Sequence, residues 1–273
     1  MIVVTGATGN VGRELVGLLA AAGEQVTAVS RRPAPTPMPT GARWSQGDLA
    51  DPAGLRDALE GADAMFLLVA GDDPEALLHQ AREAGVGRVV LLSSLGAGTR
   101  PHLYRHPAAF EAAVRGSGLD WTILRPGGFD SNAYAWAGTI RAERTAAAPF
   151  GDVGLPTIDP ADIAEVASAV LRENGHSART YELTGPAPTT PRERAAAIGA
   201  ALGEPVRFVE QTREEAKAQM LQFMPEPVVD GTLTVLGDPT AAEQKVSPDV
   251  ERVLGRAPRT FADWVAHNLA AFQ

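Results

Sequence analysis

The stretch Ile2 to Gly12, IVVTGATGNVG, limits what this chain can fold into more than any other part of it. A short β-prone run ends at Thr5, glycines stand at positions 6, 9 and 12, and an apolar helix pattern runs on from Val11 to Ala22. A strand that turns straight into a helix through this spacing is a phosphate-binding βα turn. The first glycine permits the tight turn, the second leaves bare backbone where a pyrophosphate approaches, and the third lets helix and strand pack closely. The helix N-terminus adds unpaired N–H groups and a positive dipole end. The pattern predicts a dinucleotide in contact with Gly6, Thr8, Gly9, Asn10, Val11 and Gly12.

The next stretches repeat the alternation. Gln25 to Ser30, Ala64 to Val69, Arg88 to Ser93 and Trp121 to Leu124 read as strands, with a short run at Arg43 to Gln46. They are nearly continuous in Val, Leu and Ile, as suits parallel strands covered on both faces. Helices are expected at Pro52 to Glu60, Pro74 to Ala84 and Pro107 to Arg115, two of them opened by a capping Asp before a proline (Asp51-Pro52, Asp73-Pro74). This βαβα rhythm specifies an α/β fold, a Rossmann-type doubly wound parallel sheet. After Pro126 the rhythm loosens. A helix from Pro160 to Arg172, a strand at Thr180 to Thr184, a capping box at Thr190 to Glu193 and helices near Arg213 to Met224 and Phe261 to Ala271 describe a smaller, mostly helical C-terminal substrate-binding region. The expected division is 1–155 for the dinucleotide domain and 156–273 for the cap, with interleaving at the boundary.

The end of the second strand bears on the choice of dinucleotide. Where an NAD enzyme usually carries an acid for the ribose hydroxyls, this chain has Ser30-Arg31-Arg32. Guanidinium groups suit a 2′-phosphate through charge-assisted bonds, so Arg31 and Arg32 point to NADP(H) over NAD(H). Asp48 and Leu49 are expected beside the adenine, and Val69 and Ala70 beside the adenosine and ribose.

TGATGNVG, Ser93-Ser94, the run Gly118 to Gly127 (GLDWTILRPG) and the run Ile158 to Ala164 (IDPADIA) together resemble the NmrA-like, NAD(P)H-binding family within the atypical short-chain dehydrogenase/reductase superfamily. The resemblance implies a pocket between cofactor domain and cap. It also implies that Pro126, Gly127 and Phe129 border the nicotinamide and that Ser93 and Ser94 flank it. Asp162 then reads as a structural residue at a helix start. Relatives that reduce carbonyls usually use a Tyr and a Lys four residues later. Tyr104 stands near the right place, but Ala108 follows it at that spacing and no lysine precedes Lys217. Tyr104 or His106 is therefore the expected proton donor, with His102 and water as alternatives and Glu111 at a matching family position. The segment after the sixth strand is expected to wall the substrate pocket through Asn132, Tyr134 and Trp136, because α/β sheets place their crevice there.

These residues imply an NADPH-dependent oxidoreductase acting on a small carbonyl, quinone or enone. The missing lysine leaves open a protein that binds NADP(H) without turnover and senses redox state. Composition narrows the rest. A net charge of -9 without a basic block argues against nucleic acid, and no apolar run is long enough for a membrane helix. A chain without cysteine and without a leader-like start is expected in the cytoplasm, as a monomer or homodimer with a small-molecule substrate. No metal-ligand pattern is evident.

Overall fold

In the computed structural model, which describes residues 1–33 and 37–273, the chain runs β1 (Ile2–Thr5), α1 (Asn10–Ala21), β2 (Val26–Ser30), β3 (Ala42–Gln46), α2 (Arg56–Leu59), β4 (Ala64–Leu68), α3 (Pro74–Glu83), β5 (Arg88–Leu92), α4 (Leu95–Thr99), α5 (Arg105–Gly116) and β6 (Asp120–Pro126). It continues through α6 (Ala137–Glu143), β7 (Thr145–Pro149), α7 (Pro160–Arg172), β8 (Arg179–Leu183), α8 (Pro191–Leu202), β9 (Arg207–Gln211), α9 (Arg213–Met220) and α10 (Glu226–Gly237). The last helices are α11 (Ala241–Gln244), α12 (Asp249–Leu254) and α13 (Phe261–Asn268).

Seven strands form one parallel sheet in the order β3-β2-β1-β4-β5-β6-β8. The order reverses direction between β1 and β4, which opens a crevice beyond their carboxyl ends, where ligands of such sheets bind. Every residue of β1 and β2 is buried, the physical reason for their unbroken apolar runs. One sheet face is covered by α1, through Leu15, Val16 and Leu19, and by α7, through Ile163, Val166, Ala167 and Val170. Leu15 and Leu19 are fully buried, and burial of a leucine side chain stabilises by roughly 1.5–3 kcal/mol. The other face packs on α3 and α5 through Leu77, Leu78, Phe110 and Val114.

The Asp-Pro signals act as caps: Asp51 accepts from the Gly54 N–H and Asp73 from the Ala76 N–H. Asp51 opens a 3-10 turn that leads into the short α2. Helix α5 starts two residues ahead of Pro107, which the first turn tolerates because its N–H would be unsatisfied there anyway.

Helix α7 and strand β8, both beyond residue 155, complete the main sheet layer. The smaller layer is assembled from 127–157 and from segments after 183. It contains a parallel two-stranded sheet, β7 with β9, that the expectation of a mostly helical cap did not include. Its strands are short and pair across about 60 residues, so neither shows a hairpin signal in sequence. A separate core of Ile140, Ala146, Ile198, Phe261, Trp264 and Phe272 holds this layer. Asp162 sits in the first turn of α7 at 0% exposure, where the Arg259 backbone N–H and the Arg256 and Arg259 side chains bond to it. It ties the C-terminal segment to the sheet, while the α7 cap itself is Asp159.

Candidate active site

The βα turn is built as its spacing requires. Gly6 adopts φ 63°, a left-handed conformation costly to other residues. The Gly9 N–H donates to the Gly6 carbonyl at 2.9 Å. A Cβ on Gly12 would stand 2.3 Å from that same carbonyl oxygen, so only glycine lets α1 approach this closely. At α1, no side chain caps the N-terminus and no acid lies in the first turn, whereas α3, α7, α8 and α9 each have a capping side chain and an acid there. The unpaired N–H groups and the exposed Thr8, Gly9 and Asn10 therefore fit an incoming pyrophosphate. Val11 is buried beneath the turn, and the Asn10 Nδ2 donates to the Ser131 Oγ at 3.0 Å, linking the turn to the segment after β6.

At the end of β2, Arg31 and Arg32 are exposed, and neither forms an ion pair among the described residues. Their backbone is held: the Ser30 hydroxyl donates to the Arg32 carbonyl at 2.5 Å and receives the Trp44 indole N–H at 3.0 Å. Next to this edge, exposed Asp48 accepts the Ala50 N–H at 3.1 Å, and Leu49 is buried. Gly71, at φ 82°, comes so close to Leu49 that a Cβ would lie 2.3 Å from its carbonyl oxygen. The half-buried Val69 and Ala70 thus lie beside the 48–50 loop, on one rim of the crevice.

Deeper in, beyond β4, the loops after β5 and β6 enclose a cavity of about 180 Å³. Ser94, Tyr104, Pro126, Gly127, Asn132 and Glu243 line it together with one face of α10. Ser94 also caps α4 by accepting the Gly96 N–H at 3.2 Å. Ser93 points away into an ionic cluster: its hydroxyl donates to Glu111 Oε1 at 2.7 Å, and Arg125 and Arg115 bond to the same carboxylate. Phe129 packs against the core beside α1 and pairs its backbone with Ile158.

Tyr104 rests on Gly96, where a Cβ would be 2.5 Å from three ring carbons. Burial raises the Tyr104 pKa above the ordinary phenol value; the Glu243 carboxylate raises it further, and Arg100 partly opposes them. This direction is opposite to what a neighbouring lysine would produce, and it keeps the hydroxyl protonated. Arg100 is itself neutralised, with Nε 2.8 Å from Glu243 Oε1 and Nη2 3.0 Å from Oε2. Lys217 is also occupied, in ion pairs with Glu226 and Asp230 at 2.9 and 2.8 Å.

Three expected site residues lie elsewhere. His106 meets the Gly71 carbonyl through Nε2 at 2.7 Å and stacks edge-on against Phe110, so it pins α5 to the loop after β4 instead of lining the cavity. Tyr134 faces a different cleft, its hydroxyl 2.5 Å from Asn268 Oδ1 and its ring against Trp264 and Phe272. Trp136 donates its indole N–H to the Ala147 carbonyl and packs in the core of the smaller layer. The aromatic wall expected after β6 therefore reduces to Asn132, because the 3-10 turn from Asp130 to Trp136 rotates successive side chains to different sides. His102 is exposed and outside the cavity.

Two features were not anticipated. Glu243, 3% exposed, enters the site from α11, although its capping box Thr240-x-x-Glu243 was readable in the sequence. Asp130 is fully buried, with the Thr157 hydroxyl nearby, and close to Arg194, whose Nε lacks a partner. Burial is the main cause that pushes the Asp130 pKa up to about 6, and Asp159 and Asp162 act in the same direction.

A doubly wound parallel sheet with a glycine turn shaped for a pyrophosphate at its switch point defines a Rossmann-type dinucleotide-binding protein. The chain belongs to the NAD(P)H-binding family, whose model matches residues 6–174. It is 39% identical to a (4-alkanoyl-5-oxo-2,5-dihydrofuran-3-yl)methyl phosphate reductase of Streptomyces griseus, over all of this chain and 99% of that one. It is 35% identical to an NAD(P)H azoreductase of Xenophilus azovorans, again over 100% of this chain and 99% of the relative. An NADPH-dependent quinone oxidoreductase from Escherichia coli, solved with NADPH, superposes with a TM-score of 0.82 at 26% identity, over 98% of this chain and 99% of that one. Similarity to reductases over the full length supports an oxidoreductase that uses NAD(P)H. No helix among the described residues is long and apolar enough to cross a membrane.

Proposed function

We propose that this protein is an NADPH-dependent reductase of a small conjugated carbonyl compound, a quinone or enone. The cavity between Ser94, Pro126 and α10, lined by Tyr104, is the observation that carries the reading. Bound across the crevice, the reduced nicotinamide supplies the hydride. The chain's own part is to bind and orient. The first turn of α1 would hold the pyrophosphate, Arg31 and Arg32 would meet the 2′-phosphate, and Pro126 and Gly127 would border the ring. As negative charge develops on the substrate oxygen, Tyr104, kept protonated by burial, donates the proton and is replenished from solvent. Asn132 contributes a polar group to the same cavity. The small cavity suits the flat, electron-poor acceptors named for the azo- and quinone-reducing relatives.

The second reading, binding without turnover as a redox sensor, is favoured by one observation: Arg100, the cation beside Tyr104, is engaged with the Glu243 carboxylate. Stopped-flow absorbance at the nicotinamide band, with saturating NADPH and a panel of quinones, enones and azo compounds, separates the two. Substrate-dependent NADPH oxidation is expected. No oxidation across the panel, with distinct affinities for the oxidised and reduced cofactor, would replace the reductase by the sensor.

A further inference from the structure

The cavity at Tyr104 is walled on one side by α10. This helix contributes Thr232, Val235 and Leu236 to the wall. Helical periodicity carries the same face back one turn to Val228, which is 51% exposed. Gly231 borders this face and is buried; a Cβ there would stand 4.0 Å from the Leu103 Cβ, so Leu103, itself 42% exposed, lies alongside. The adjoining face of α10, Val229 and Leu233, is fully buried in a cluster with Ala216 of α9, and Lys217 clamps the same pair of helices. The exposed stripe therefore belongs to a firmly seated helix. Exposed apolar side chains that prolong a cavity mark a ligand groove, and from Val228 to Leu236 the helix rises about 12 Å. No lysine or arginine lines the cavity, and its one carboxylate, Glu243, is paired with Arg100.

We infer that the stripe Leu103–Val228–Thr232–Val235 is a subsite for an apolar tail, so that the substrate class is an uncharged conjugated carbonyl head bearing a hydrocarbon chain. The head would sit at Tyr104, and the chain would leave between Leu103 and α10. The identity of the head rests on the reductase reading; the tail subsite rests on the stripe.

The test is calorimetric titration of protein saturated with oxidised cofactor, which prevents turnover, using 2-alkyl-1,4-benzoquinones whose chain grows from none to about eight carbons, within the reach of the stripe. The dissociation constant is expected to fall about two- to fourfold per methylene, and Val228→Asp and Leu103→Ser, both at exposed positions, are expected to flatten that dependence. Affinity independent of chain length, or a dependence that both variants retain, overturns the subsite. A parallel assay with NADPH tells the two failures apart. Chain-dependent binding without NADPH oxidation upholds the subsite and refutes the reductase, whereas oxidation by the unsubstituted quinone with no chain dependence does the reverse.

Discussion

The Glu111 carboxylate, 1% exposed as a residue, receives Arg125 in a two-pronged pair at 2.8 and 2.6 Å, while Ser93 and Arg115 bond to the same two oxygens. This cluster fixes the carboxyl ends of β5 and β6 relative to α5. Burial alone would raise the Glu111 pKa, but the bonds from Arg125 and Ser93 outweigh it and hold the group below its ordinary value. Its stabilising effect is thus present above the unfolded value of 4.5 and is lost as pH falls through the lower folded value. Glu111→Ala leaves Arg125 without its partner and is expected to cost about 3–5 kcal/mol. Urea unfolding at neutral pH checks this, and the difference from the parent should shrink in acid.

Gly12→Ala places a methyl group 2.3 Å from the Gly6 carbonyl oxygen and 3.0 Å from the Ala7 Cα. The turn must open to accept it, so both Tm and dinucleotide affinity are expected to fall, the affinity by roughly tenfold or more, since 1.4 kcal/mol of misfit suffices for that. Gly17→Ala, on the same helix with nothing within 4 Å, serves as the control in the same calorimetric titration.

Arg31→Ala combined with Arg32→Ala is expected to weaken NADPH roughly 10- to 100-fold through lost charge-assisted bonds. NADH, without the 2′-phosphate, should change little. Isothermal calorimetry with both cofactors measures the ratio, and unchanged NADPH affinity would sink the preference.

Tyr104→Phe removes the proposed proton donor while keeping the ring on Gly96. A kcat decrease of roughly 10²- to 10⁴-fold with little change in KM is expected. Because burial raises the Tyr104 pKa above its ordinary value of 10.0, the parent rate should show no loss from ionisation of this group across the neutral range.

Burial pushes the Asp130 carboxyl up to about 6 from an ordinary 3.8, so the native state binds the extra proton between these values. Stability therefore falls as pH rises from 3.8 to about 6 and is flat in this respect above it. Asp130→Asn removes the charge and is expected to stabilise the protein at neutral pH by up to about 3 kcal/mol, the equivalent of the shift. Thermal scans should show the gain near pH 7 and little of it near pH 4.

The sheet was legible in the sequence because parallel strands buried on both faces must be continuously apolar, and the turn at Gly6 to Gly12 because its geometry leaves no substitute for glycine. Cofactor class followed from local residues for the same reason: turn, helix start and strand end are contiguous in the chain. The composition of the cavity at Tyr104 was not local. Tyr104, Asn132 and Glu243 come from three separate segments, and α10 supplies the far wall. Residue type alone did not tell which expected side chains share the cavity: one hydrogen bond to Gly71 holds His106, and one to Asn268 holds Tyr134, outside it. The sequence by itself determined the Rossmann sheet and its phosphate turn, which depend on short-range patterns. Only the tertiary structure decided which side chains share the cavity, because that depends on how the cap packs across it and on which polar groups find partners when buried.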